Sequence, residues 1–127
     1  MRVSMESNAG ELAAALEIEA EHLPDTVRPV VVRASLNIKR DAQTRIGRGP
    51  YLPAYARSIS YDTAVSGTSV SSEIGPDKDR PQGPLGNILE YGTGDTPPIP
   101  HLGPALDAEE EAFLRYLEAA VAKAIEG

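Results

Sequence analysis

A chain of 127 residues and 13.5 kDa has room for one domain around a small core. It contains no Cys, no Trp and a single Phe, so the core must be built from Leu, Ile, Val and Ala; disulfides, thiolate metal sites and thiol nucleophiles are excluded. The net charge of −7 is unevenly spread: from Thr26 to Arg57 seven basic residues stand against Asp41 alone, a balance of +6 that leaves −13 for the rest.

A core this small leaves a lone chain marginal, so association between copies is expected to help it. The charge split suits head-to-tail pairing, because such a contact needs two different, matching patches. A solvated helix face is the simpler account of the same basic residues. The opening MRVSMESNAGELAAALEIE lacks the apolar centre of a signal peptide. No segment reaches the about 20 apolar residues of a membrane helix, so a soluble protein with no membrane partner is expected.

In chain order, residues 1–24 are expected to hold a first helix. Ser7 or Asn8 would cap it, Glu11 would close a capping box, and ELAAALEIEAEHL is rich in helix formers. Pro24 ends it. Asp25 caps a second, long helix reaching about Ile46, where Val27, Val31, Ala34, Ile38 and Ala42 keep helical spacing. Arg33, Lys39, Arg40 and Gln43 occupy the opposite face. Gly47 and Gly49 stop that helix, and GRGPYLPAYA follows as a loop whose Tyr51, Leu52 and Tyr55 dock on the core edge.

From Ser58 to Val65 the chain alternates, turns at Ser66-Gly67-Thr68 and alternates again to Ile74, the pattern of a β-hairpin with one wetted face. Val70 and Ile74 point inward. GPDKDRPQGP, from Gly75 to Pro84, reads as an exposed polar loop reaching toward a neighbour. Pro84 opens a short helix, LGNILEYG, that Gly92 stops as a left-handed cap. TGDTPPIPHLGP is extended, with Ile99 and Leu102 as pegs. Asp107 caps a final helix whose first turn holds Glu109, Glu110 and Glu111. The expected fold is therefore α+β: a long N-terminal helical region, an antiparallel hairpin or small sheet, a short helix, a proline-rich arm and a C-terminal helix. Residues 1–127 form one domain, with an N-terminal helix over 1–24, the core over 25–106 and the C-terminal helix over 107–127.

No catalytic set stands out. His22 and His101 are the only histidines, and His101, framed by Pro100 and Leu102, suits packing or an interface better than chemistry. Three adjacent glutamates cannot all face one ion. Gly92-Thr93-Gly94 lacks the lysine and spacing of a phosphate loop, and no serine sits in a nucleophile elbow. No cofactor, no metal and no enzymatic activity are expected. Glu90, beside an apolar run, is either half-buried against an arginine or a plain exposed carboxylate. The stretch from Leu85 to Leu106 reads instead as a shaped joint between subunits. Glu90, Tyr91, Gly92, Thr93, Ile99, Pro100, His101 and Leu102, with Arg33 and Arg40 of the basic helix, are its candidate interface residues.

LGNILEYGTGDTPPIPHLGPALDAEEEAF resembles the carboxy-terminal signature of the small neck, or head-to-tail connector (tail-completion), proteins of long-tailed double-stranded DNA phages. Glu90, Tyr91, Gly92 and Thr93 match its Glu-aromatic-Gly-Thr step. Pro100, Leu102, Pro104, Ala105 and Leu106 match its Pro-x-Leu-x-Pro-Ala-Leu anchor. A long preceding helix and an Arg57-Ser58-Ile59 strand opening are also similar, and the IGPDKDRPQG loop is similar to versions in phages of actinobacteria. The chain departs from the pattern at Pro50-Tyr51-Leu52-Pro53, at Leu85-Gly86-Asn87, and at His101, where Phe is usual. The resemblance implies a non-catalytic virion protein at the head-tail junction, present in the host cytoplasm during assembly. It would form a hexameric ring between the portal-side assembly and the tail tube. Its partners would be other neck and tail proteins, such as a head-closure protein (stopper), a tail terminator or the tail tube itself. Genomic DNA would pass its lumen without specific recognition. A tail terminator capping the tube, or a small nucleic-acid-binding or adaptor module outside viruses, are the alternative readings. An enzyme built on His101 ranks last.

Overall fold

Alternation, rather than helix propensity, decides the N-terminal part of the chain. In the computed structural model, which describes residues 2–8, 11–19, 24–47 and 54–126, strands β1 (Arg2–Asn8) and β2 (Glu11–Glu19) form an antiparallel pair. The helix expected over 1–24 is therefore a hairpin. In ELAAALEIE, Leu12, Ala14, Leu16 and Ile18 recur every second residue, and all four are buried. On a helix that spacing would scatter them round the axis; on a strand it lines one face. Pairing with β1 on one side and β4 on the other outweighs the helix preference of Ala, Leu and Glu, which is worth only tenths of a kcal/mol per residue.

Helix α1 (Pro24–Ile46) buries the expected stripe, Val27, Val31, Ala34, Ile38 and Ala42, and extends it to Ile46. Pro29 lies inside the helix, in its second turn. A four-residue helical turn, α2 (Tyr55–Ser58), leads into β3 (Ile59–Ser66), so Arg57 and Ser58 precede the strand instead of opening it. The loop over 48–53, with Tyr51 and Leu52, and His22 lie outside the described residues. β3 pairs with β4 (Ser69–Pro76) through a turn at Gly67-Thr68, where Gly67 has φ +59°. A positive φ at the first central residue, followed by a negative one, is the twist-matched hairpin turn that glycine favours.

The sheet is antiparallel throughout, in the order β1-β2-β4-β3. Val70 and Ile74 of β4 point inward beside Ile18 and Ala14, their register partners on β2. One face is covered by two helices: α1 over β3 and β4, and the C-terminal helix α4 (Leu102–Glu126) over β1 and β2. The core lies between these layers and includes Phe113, Leu106 and Tyr55. A polar stitch crosses it. The Ser35 and Ser72 hydroxyls lie 2.6 Å apart, and the Thr63 hydroxyl donates to Ser72 at 3.2 Å. None of the helices in the described residues is long and apolar enough to cross a membrane.

The segment after β4 keeps Lys78, Asp79, Arg80 and Pro81 exposed, as expected, while Asp77 and Gln82 tie it to the body. Gln82 takes φ +64°, and its Oε1 accepts the amides of Ala54 and Tyr55 at 2.9 and 3.0 Å. Gly83 is buried against the Asp77 carbonyl, where a Cβ would not fit. Arg80 donates to the Arg57 carbonyl at 3.0 Å. A short 3-10 turn (Gly83–Leu85) with Pro84 in it then opens α3 (Gly86–Tyr91).

Candidate assembly joint

Helix α3 ends where expected, at Gly92, but by a different device. Gly92 has φ +74° with ψ −178°, an extended left-handed conformation reserved for glycine, rather than the helical left-handed cap. A Cβ there would lie 2.6 Å from the Thr96 carbonyl and 2.8 Å from the Pro98 nitrogen. Residues 93–96 close a tight turn instead of extending. The Thr93 amide donates to the Thr96 carbonyl at 2.8 Å, and the Thr93 hydroxyl accepts the amides of Asp95 and Thr96. The arm then folds back on α3, the Ile99 amide donating to the Leu89 carbonyl at 2.6 Å.

Glu90 is the centre of the joint. It is buried, and its partner is neither an arginine nor solvent. Oε1 accepts the amides of His101 and Leu102, both at 2.9 Å, and Oε2 accepts that of Gly103 at 3.1 Å. A carboxylate on one helix thus caps the next, meeting free N–H groups and the positive end of the helix dipole. This explains why α4 begins at Leu102 and not at Asp107. Pro104 fits the first turn without an amide to satisfy, and the cap arrives from outside the segment. Asp107 and Glu109 consequently lie inside the helix. Glu109 ties the helices together, accepting from Asn37 Nδ2 at 3.1 Å and pairing with Arg33 at 3.7 Å.

His101 completes the joint. Its ring is fully buried, with Nε2 2.6 Å from the Tyr55 hydroxyl and Nδ1 3.0 Å from both the Ile99 carbonyl and Glu90 Oε1. The Tyr55 and His101 rings meet edge to face. Burial pushes the imidazole below its ordinary pKa, against the opposing pull of the Ile99 carbonyl and Glu90. Burial, and Glu90 beside it, raise the Tyr55 hydroxyl. A neutral ring satisfies every partner: Nδ1–H donates to the Ile99 carbonyl, and Nε2 accepts from Tyr55. Among the described residues, no buried side-chain nitrogen or oxygen lacks a partner, and no cluster of three acidic, histidine or cysteine groups is placed to hold a metal.

The ten candidate interface residues do not share one surface. Glu90, His101 and Leu102 are buried and hold the joint from within; Leu102 is one peg of the arm, while the other, Ile99, leaves 43% of its surface exposed. Tyr91, Thr93, Ile99 and Pro100 face outward, and Gly92 sets the bend. Arg33 and Arg40 are placed on α1. The Arg33 guanidinium lies 3.9 Å above the Tyr116 ring, packing α1 on α4, while Arg40 is exposed. The sequence places Tyr55 only at the core edge, and its partnership with His101, 46 residues away, leaves no local signal. Comparison with protein-family models, with curated proteins and with solved structures finds no match for this chain.

Proposed function

We propose that this chain is a structural virion protein of the phage head-to-tail connector, a neck or tail-completion protein without catalytic activity, working as a hexameric ring between the portal-side assembly and the tail tube. One observation carries the reading: the Glu90 carboxylate caps α4 across the Gly92 elbow, making α3, the arm and α4 one rigid corner. Tyr91, Ile99 and Pro100 stand exposed on that corner. Apolar groups held outward on a preorganised frame lose little entropy when they dock on a neighbour. The corner coincides with the residues that resemble the connector signature. The most reactive side chain in it, His101, is sealed from solvent and fully partnered, which favours geometry over chemistry as its role.

Mass spectrometry of purified particles, together with loss of the gene, tests the proposal. The expected result is the chain in every particle and, without it, DNA-filled heads separate from tails. A chain missing from particles whose assembly does not need it overturns the proposal.

A further inference from the structure

We infer that the helix-free face of the sheet is a docking surface for the solvent side of α1 from a second copy of this chain, in a head-to-tail contact. The inference rests on the self-assembling part of the reading above and names the surfaces that meet. Ala15, Ser71 and Ala64 are small residues on that open face. On it, Asp62 of β3 stands directly opposite Glu73 of β4 in the register, and both are exposed. Like charges directly across a strand pair are destabilising. Glu17 on the same face stands opposite Arg2 in the β1–β2 register, but no ion pair among the described residues includes Asp62 or Glu73. A cleft of about 290 Å³ opens beside the pair, its rim carrying Asp79, Lys78 and Asp77, the last already paired with Arg80 at 3.5 Å.

The complement lies on α1. Arg33 is engaged with Glu109 and Tyr116, and Arg45 pairs with Asp41 at 3.0 Å. Arg40 lies opposite the stripe that α1 buries against the sheet and is exposed, while Arg28, also exposed, and the half-buried Lys39 flank that stripe. Within one chain the two surfaces are on opposite sides of the helix and sheet layers, so neither can neutralise the other. Between copies they match. The contact joins two different patches, so repetition closes a ring or runs on as a filament. A basic partner relieves the Asp62–Glu73 repulsion that the lone chain bears, and opposed potentials orient the encounter.

Analytical ultracentrifugation of the full chain tests this with Glu73→Lys, Arg40→Glu and the two combined. Each single reversal is expected to weaken self-association by about tenfold or more, through like charges brought together. The combination is expected to recover most of the loss. Glu73→Lys should at the same time raise the melting temperature of the monomer, because it turns the repulsive cross-strand pair into an attractive one. A wild-type chain that assembles while neither reversal weakens it, or a double variant that regains nothing, overturns the assigned surfaces and leaves the ring reading standing. A wild-type chain that stays monomeric at all concentrations overturns both.

Discussion

The Glu90 carboxylate caps α4 from a neighbouring helix. It stands 11, 12 and 13 residues before the three amides it accepts, so removing it uncaps α4 and leaves buried donors without partners. Glu90→Ala should cost about 3 kcal/mol or more in urea unfolding, since each orphaned buried donor costs about 1–3 kcal/mol. Glu90→Gln, which keeps one acceptor oxygen but loses the charge facing the helix end, should cost about 1–2 kcal/mol. His101 predicts a pH dependence. Its folded pKa lies below the unfolded value of about 6.5, so below that pH the unfolded chain binds the proton more readily. Stability is then complete above about pH 6.5 and is lost as pH falls through the folded pKa, with a slope of at most about 1.4 kcal/mol per pH unit. Melting temperatures between about pH 5 and 8 should fall on acidification, and His101→Gln should flatten that fall. An unchanged slope in the variant would place the titrating group elsewhere.

At the level of elements, β2 is where propensity and packing disagree. If residues 11–19 form a central strand, Ala15→Val on the open face should stabilise the fold by about 0.5 kcal/mol, because a β-branched side chain suits a pleated surface. In a helix the same change would destabilise by a similar amount, so a chemical denaturation curve distinguishes the two. The elements that were legible carry their own partners. α1 shows a six-position apolar stripe, the β3–β4 hairpin shows alternation around Gly67, and α3 ends at a glycine. The start of α4 was not legible because its cap comes from another helix. The packed turns from Asp77 to Gly83 were hidden by composition. Polar and proline-rich, they read as loop, yet Gln82 and Arg80 spend their donors and acceptors on the backbone around α2. In the candidate site, the bend at Gly92 and the Leu102 peg were readable, whereas Ile99, expected as the second peg, stands exposed. The burial of Glu90 and His101, and the part of Tyr55, were not readable, since each depends on a contact distant in sequence.

Across the whole molecule, folding turns an uneven charge sequence into two opposed surfaces. The basic residues of α1 end outside one layer and the Asp62–Glu73 pair outside the other. Self-association through those surfaces should weaken as salt rises from roughly 0.05 M to roughly 0.5 M, because screening shortens the reach of exposed charges to a few ångströms. Sedimentation across that range checks it. An association that tightens with salt would mark an apolar contact instead, with the corner at Tyr91 and Ile99 its natural place.

By itself the sequence determined the mixed α+β class, the long amphipathic α1, the hairpin after Ile59 and the elbow at Gly92. Each rests on a period of 2 or 3.6 residues or on a glycine or proline whose backbone freedom is local. Only the tertiary structure decided that residues 11–19 are a strand, that α4 starts at Leu102 and that Glu90 and His101 are interior. Those outcomes depend on which distant groups satisfy a strand edge, a free helix end or a buried ring, and a local pattern carries no record of them.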